Sequence, residues 1–386
     1  MSIPAAGEIL VSAVIPCLNE ERTVGVCVDK ARASLAALGV AGEVIVVDNG
    51  SSDRTAEIAA ARGARVVPEP ARGYGSALRA GIEAARGRII VMADGDESYD
   101  WSSIDAFVRK VEEGYDLVVG NRFRGGIEPG AMPALHRYLG NPVLSAVTRL
   151  AFGVQVGDVH CGMRAFTRAG YERMRMGTPG MEFATEMIAS AAHEGLRVAE
   201  VPTRLYPDKR DRPPHLRTFR DGWRHLRFIL THAPDYLYLV PGTALLAAGL
   251  ALQAVLAGGP VELAGYHFGI HWLALGSMLA LAGFNVLNLG VLAKAVMAQR
   301  YPRLRSRMLA LLTGRYTLEI GLLAGAGLML AGLATDAVIL ASRLANPGGP
   351  MESTVHLAFV ATTAVVLGLN LMFSAFLLAM VLSRRS

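Results

Sequence analysis

A chain of 386 residues is too long for one small domain, and at 52% hydrophobic against 18% charged it is too apolar to be soluble throughout. The formal net charge of +5 is modest, its distribution matters more than its size, and no nucleic-acid partner is expected. Nearly all the acids and most of the bases lie in residues 1–230, and after Tyr236 the chain becomes long apolar blocks. A water-exposed N-terminal part followed by a membrane C-terminal part is the organisation this implies.

The opening stretch "MSIPAAGEILVSAVIP" has no basic region followed by a clean apolar core, so no secretory signal is expected. Cys17, Cys27 and Cys161 show no CxxC spacing and read as packing residues in a reducing, cytosolic setting. Five apolar runs read as strands: 11–16, 43–47, 65–67, 89–93 and 117–120. Ala-rich segments with helical period lie between them, at 20–37, 54–62, 74–86 and 102–113. Strand and helix alternating in this way predict a parallel sheet with helices on both faces. Ligands bind such sheets at the C-terminal ends of the strands, which singles out the loops "PCLNEE", "VDNGSSDRT" and "ADGDESYD".

Glu20 in the first loop suits the first turn of a helix, where the dipole favours a carboxylate. Ser51, Ser52 and Asp53 suit the cap of the helix that follows them. "RGYGSALRAG" is a weak phosphate signal and reads better as a turn and helix start. No GxGxxG follows the first strand and no GxxxxGK[ST] occurs, which argues against a dinucleotide oxidoreductase or a P-loop ATPase. The run "GRIIVMADGDESYDW" ends in Asp94, Asp96, Glu97 and Asp100, four carboxylates within seven residues. Asp94 and Asp96 flank Gly95, and in strand-like geometry both can approach one cation. Hard oxygen ligands would suit Mg²⁺ or Mn²⁺, and the alternative for the same residues is a tight turn with solvated acids. Glu97 is either a further ligand or a solvated neighbour, and Asp100 belongs near a helix start.

Further along, Glu182 and Glu186 are four apart, on one helical face. In "HLRTFRDGWRHLRFIL", Arg217, Arg220, Arg224 and Arg227 share a face beside Leu216, Phe219, Trp223, Leu226 and Leu230. That pattern predicts an interfacial amphipathic helix over 215–232, anchored on anionic lipid. Four apolar stretches in 236–386 are long enough to span a bilayer: about 236–257, 270–294, 316–341 and 355–382. The link between the second and third carries Arg300, Arg303, Arg305, Arg307 and Arg315, and the tail carries Arg384 and Arg385. The other two links hold only Arg343, so the basic ends are expected in the cytoplasm, with both termini and the N-terminal domain. Asn285, Asn288 and Asn370 suggest interhelical hydrogen bonds, and Gly321, Gly325 and Gly327 close helix packing.

The motifs "VSAVIPCLNEE", "EVIVVDNGSSDRT", "DGD", "VVGNRF", "GDVHCGMRAF" and "AEVPTRLYP" together resemble family 2 glycosyltransferases over residues 9–230. The subgroup most similar is the polyprenyl-phosphate sugar transferases, typified by dolichyl-phosphate mannose synthase. The resemblance implies an α/β GT-A domain, Rossmann-like with a mostly parallel sheet, over 1–214, followed by the α-helical four-span membrane domain. It implies inverting transfer of one hexose from a UDP- or GDP-sugar to polyprenyl phosphate, with an integral membrane location and the catalytic domain in the cytoplasm. The family's DxD motif falls on Asp94 and Asp96, the expected metal ligands. Pro16, Asn19, Glu20, Asp48 and Asp94 fall in the donor pocket. Asp158 matches the position usually proposed as catalytic, and a phosphate nucleophile makes orientation a better role for it than proton removal. Arg164 is its expected ion-pair partner or a structural residue. Arg122 and Arg137 match arginines placed on the acceptor phosphate, and Glu186 a recurrent glutamate near the acceptor. Many relatives end the domain with R-x-x-G-x-S-K, whereas this chain has "YPDKRDRPPHLR". Lys209, Arg210, Arg212, His215 and Arg217 supply the charge there, and their division of labour is open, as is homo-oligomerisation. The rival readings are a processive polysaccharide synthase, which lacks its Q-x-x-R-W order here, a sugar nucleotidyltransferase, which lacks its glycine-rich first loop, and a non-catalytic nucleotide-sugar scaffold.

Overall fold

The computed structural model describes residues 9–209, 218–301, 317–346 and 352–383, in two compact units, Met1–His232 and Ala233–Ser386. The first unit is built on a seven-stranded sheet of order β3-β2-β1-β4-β6-β5-β7. The five strands read from apolar runs are β1 (Val11–Cys17), β2 (Gly42–Asp48), β3 (Arg65–Pro68), β4 (Ile89–Met92) and β5 (Leu117–Asn121). β6 (Arg164–Thr167) and β7 (Val198–Pro202) complete the sheet. β1 pairs parallel with β2 on one side and β4 on the other, and β5 pairs parallel with β7. Only β6 runs against its neighbours, β4 and β5, so the sheet is mostly parallel.

β4 and β5 are buried through their length, β1 in all but Pro16, and β2 over Val44–Val47, which is why these strands read as apolar runs. The helices of this unit are α1 (Val24–Ala37), α2 (Thr55–Ala61), α3 (Tyr74–Ala84), α4 (Ile104–Glu112), α5 (Arg122–Gly125), α6 (Asn141–Phe152), α7 (Arg168–Met174), α8 (Phe183–His193) and α9 (Thr218–His232). The strand order turns back at β1, which places a crevice beyond the C-terminal ends of β1 and β4. That is where Pro16, Cys17 and Asp94 lie.

All three cysteines are buried and unbridged, and burial pushes the thiols of Cys27 and Cys161 up to about 12. Gly73 and Gly75 are packing glycines: a Cβ on either would meet the Pro179 or Thr178 carbonyl oxygen at 2.2 or 2.3 Å. The Ser76 N–H at the start of α3 donates to the Pro179 carbonyl, as a packed turn and helix start would have it.

The helix expected at 215–232 is α9, with residues 215–217 outside the described residues. Its buried face is Asp221, His225, Phe228 and Ile229, and Phe219 and Trp223 are 85% and 58% exposed. Thus α9 packs on its own unit through one face and leaves two large apolar side chains on another.

The second unit contains four helices long and apolar enough to cross a membrane: Asp235–Leu256, Ile270–Arg300, Thr317–Ala345 and Thr354–Ser383. Glycines bring backbones together. A Cβ on Gly249 would sit 2.3 Å from Ala280 N, and one on Gly368 2.5 Å from the Gly325 carbonyl oxygen. Gly321 and Gly325 are close-packed as expected, but Gly327 has nothing within 4 Å of a built Cβ and faces open space. The Asn370 side-chain amide donates to Asn285 Oδ1 at 3.4 Å, joining the second and fourth spanning helices. Lys294 donates to both oxygens of Asp235, at 2.6 and 2.8 Å.

Candidate active site

The first two strand-end loops are tied to each other. Asn19, in the left-handed region at φ 56°, donates its N–H to Ser51 Oγ at 2.9 Å and accepts the Ser52 N–H at 2.7 Å. The Glu20 N–H donates to Thr55 Oγ1 at 2.7 Å, and Asp48 Oδ1 accepts the Ser51 N–H at 2.9 Å. Asp53 accepts from the Thr55 and Glu21 backbone N–H groups, which fixes the start of α2 as its sequence position suggests. The Glu20 carboxylate accepts from Thr23 Oγ1 at 3.3 Å, at the entry to α1. Pro16 lies opposite Val47, and Cys17 opposite Asp48, in the β1–β2 register. Pro16, Asn19, Glu20 and Asp48 therefore form one wall.

The second wall is the acidic loop after β4. Gly95 has no alternative: a Cβ there would meet Cys17 Sγ at 2.7 Å and Ile15 Cγ2 at 3.0 Å. The residue between the two aspartates has to be glycine because the loop crosses tightly over the end of β1. Asp94 is half-buried, and its carbonyl accepts the Trp101 indole N–H at 3.2 Å. Tyr74 hydrogen-bonds the Asp94 side chain; burial and then that carboxylate push the phenol's pKa well up, so it stays protonated. Asp96 is buried, and its Oδ1 accepts the Ser98 N–H at 3.0 Å and the Ser98 hydroxyl at 2.5 Å. Among the described residues no three His, Cys, Asp or Glu side chains converge as a metal site. Asp94 and Asp96 are a pair of hard oxygen donors that a bound diphosphate could complete.

Glu97 is not a solvated acid. It is buried at φ 62° and receives Lys209 Nζ at 2.8 Å. The Lys209 N–H donates to the Asp96 carbonyl at 3.3 Å, so the basic stretch opened by Lys209 starts beside the paired aspartates. Arg210, Arg212, His215 and Arg217 lie outside the described residues. Asp100 caps the 3₁₀ turn Trp101–Ser103 by accepting the Ser102 N–H, as expected of a residue at a helix start.

The third element is a buried ion pair at the end of β5. Asp158, fully shielded from solvent, accepts three bonds from Arg122: backbone N–H at 3.0 Å, Nε at 2.7 Å and Nη2 at 2.7 Å. Arg122 is thus the partner of Asp158, and Arg164 is not. Arg164 spends its guanidinium on the carbonyls of Cys161, Ala184 and Val159, at 3.0, 2.7 and 2.6 Å, and so holds the 158–164 turn to α8. That turn reaches the acidic loop: the Gly162 N–H donates to Tyr99 Oη at 2.9 Å, and a Cβ on Gly162 would lie 3.0 Å from Asp94 Oδ2.

Arg137 sits in a π-helical turn, 5.5 Å over the Tyr138 ring, with no carboxylate partner among the described residues. Its neighbour His136 has a pKa lowered by burial and by the charge of Arg122, which sets this turn near the pair. Glu186, the recurrent glutamate, braces a loop. It is fully buried and accepts the Gly177 and Thr178 N–H groups and the Thr178 hydroxyl, bracing the loop before α8. Glu182 stands at the N-cap position of α8 with one oxygen buried and unpartnered. His160 and His225 meet edge to face at 4.6 Å, and His225 Nδ1 shares a 2.7 Å hydrogen bond with Thr185 Oγ1. Burial lowers both imidazole pKa values, that of His225 to about 4.

A mostly parallel sheet with paired aspartates at its switch point, and a buried arginine–aspartate pair at the end of β5, suits a glycosyltransferase. The chain belongs to glycosyl transferase family 2: residues 12–175 match that family, and residues 291–382 match the glycosyltransferase family 2 C-terminal transmembrane region. It is an integral membrane enzyme. It is 38% identical over 368 residues to the low-salt glycan biosynthesis hexosyltransferase Agl6 of Haloferax volcanii, covering 95% of this chain and 88% of that one. It is 36% identical over 160 residues to the dolichyl-phosphate hexose transferase of the same organism, covering 42% of this chain and 68% of that one. Among solved structures, glucosyl-3-phosphoglycerate synthase from Mycobacterium tuberculosis in complex with Mg²⁺ and UDP is similar, with a TM-score of 0.46 and 26% identity over 59% of this chain and 80% of that one.

Proposed function

We propose that this enzyme transfers a single hexosyl unit, glucose or mannose, from a UDP- or GDP-sugar to polyprenyl phosphate, with inversion, at the cytoplasmic face of the membrane. The observation that carries the reading is the state of Asp158. It is shut away from solvent, and both its oxygens are held by Arg122. Such a carboxylate is placed to fix a cation, not to collect a proton. A phosphate acceptor suits that arrangement, because it is already ionised near neutral pH, with a second pKa of about 6, and needs orientation more than a base. Arg122 spends Nε and Nη2 on Asp158, and no hydrogen bond reaches Nη1 among the described residues. That edge is free to meet an anion. Arg137 is the second candidate cation for the acceptor phosphate, followed by the basic stretch from Lys209.

Asp48, with Pro16, Asn19 and Glu20, would line the nucleoside end of the donor. Asp94 and Asp96 would hold Mg²⁺ or Mn²⁺, which when bound offsets the negative charge of the leaving diphosphate. The Arg-rich link between the second and third spanning helices supports a cytoplasmic catalytic side, and Phe219 and Trp223 of α9 are suited to the adjacent lipid surface. The named relative that uses dolichyl phosphate supports the acceptor class.

The test separates acceptor from donor. With purified full-length enzyme, Arg122→Ala raises the KM for polyprenyl phosphate far more than the KM for the nucleotide sugar. Equal losses on both substrates would remove Arg122 from the acceptor site.

A further inference from the structure

We infer that Glu200 is a positioning residue for glycosyl transfer, a single buried carboxylate that sets the location of both members of the Arg122–Asp158 pair. Glu200 lies on the edge strand β7, opposite Val119 of β5, with its side chain only 7% exposed. Three N–H groups converge on its Oε1: the Gly157 backbone at 2.7 Å, the Asp158 backbone at 3.2 Å and the Asn121 side-chain amide at 3.0 Å. Two consecutive backbone amides aimed at one point form a concavity that selects a negative charge. Here a side chain of the same chain fills it.

Each donor leads to one half of the pair. Gly157 and Asp158 begin the turn that presents the Asp158 carboxylate, and a Cβ on Gly157 would press to 2.8 Å from Asn121 Nδ2, so the turn has to open on glycine. Asn121 uses its other end, Oδ1, to accept the Arg124 N–H at 3.0 Å and cap α5, whose first residue is Arg122. Pull out the Glu200 charge, and the Asp158 turn and the start of α5 lose their common anchor. Arg124, 3.8 Å from the other oxygen and 68% exposed, adds little to the hold. Among the described residues the polar partners of Glu200 are Asn121, Gly157, Asp158 and the more distant Arg124, and its side chain is shielded from solvent, so it acts through the pair and is not itself a catalytic residue.

The inference rests on the reading that the Arg122–Asp158 pair serves the transfer, and a double-mutant cycle tests the two separately. Glu200→Gln, Asp158→Asn and their combination are made in the full-length chain, purified in detergent, and assayed with polyprenyl phosphate and nucleotide sugar. A displacement on the order of 1 Å at a reacting group can cost about 100-fold in rate. Glu200→Gln is therefore expected to lower kcat roughly 10- to 100-fold and leave the donor KM within about twofold. In the Asp158→Asn background the same change should cost nothing further in kcat, because the pair it positions is already broken. Losses that multiply across the cycle overturn the inference, as does a Glu200→Gln enzyme that turns over normally once its folded fraction is counted. Asp158→Asn at the wild-type rate overturns the reading of the pair and this inference with it. Should Glu200→Gln fail to fold, Asn121→Ser, which drops one donor of the three, is judged by the same criteria.

Discussion

Replacing Asp158 by asparagine keeps the size of the side chain and removes its charge. In the native site the carboxylate accepts three N–H bonds from Arg122, two of them at 2.7 Å, with no solvent contact. Asparagine offers one oxygen and one amide nitrogen, so at least one guanidinium N–H comes to face another donor, and the arginine charge stays buried without a counter-charge. Breaking one side of a buried pair costs about 3–5 kcal/mol, a large part of the roughly 5–15 kcal/mol that holds a typical domain. For a unit of this size each kcal/mol moves the midpoint by about 2–4 °C, so the midpoint should fall by roughly 6–20 °C. Fluorescence follows the loss conveniently, since Trp101 is fully buried beside Asp94. Arg122→Met combined with Asp158→Leu removes both charges and should recover most of the midpoint while transferring no sugar. An Asp158→Asn midpoint within about 2 °C of wild type, or a double variant as unstable as the single one, would refute this account of the pair.

Asp96→Asn should abolish transfer and leave the protein folded and inserted; near-normal turnover would remove Asp96 from the metal site. Gly95→Ala should cost about 1–3 kcal/mol and most of the activity, since its methyl meets Cys17 Sγ at 2.7 Å; an unchanged midpoint in thermal unfolding would contradict the tight crossing. The buried histidines set an acid limit. His225 falls to about 4, through burial chiefly and Arg164 in part, against Asp221, which raises it. The unfolded chain therefore binds a proton from about pH 6.5 downward that the native state refuses. Stability is full above that pH and is lost as pH falls toward 4, by about 3 kcal/mol from this group, with His160 acting in the same direction. Denaturant midpoints between pH 7 and 4 check this, and His225→Gln should flatten the slope; an unchanged slope would place the titration elsewhere.

Five strands of the sheet were legible because they contain apolar runs, buried in β1, β2, β4 and β5 and half-exposed in β3. β6 and β7 were not. β6 is four residues beginning with a buried arginine, and β7 is a half-exposed edge strand interrupted by Glu200 and ended by Pro202. Both stood inside quoted motifs yet had no strand-like period. The acids of the site could be read, but their partners could not. Arg164 is six residues from Asp158 and looked like its partner, whereas Arg122, 36 residues away, is the one that β5 delivers. Glu97 found Lys209 across 112 residues, which no local pattern announces. Tyr74, at the start of α3, hydrogen-bonds Asp94 across 20 residues, and the sequence does not announce that contact either. The buried face of α9 escaped because it contains Asp221 and His225, polar residues that the helix hides against its own unit.

The most direct test of the central claim is the chemical identity of the product. Membranes containing the enzyme are incubated with labelled UDP- and GDP-hexoses and added polyprenyl phosphate, and the lipid-extractable label is analysed by mass. One hexose linked to one polyprenyl phosphate, formed by the wild type and not by Asp96→Asn, is the predicted result. A polymer, or label confined to a water-soluble glycoside, would contradict it.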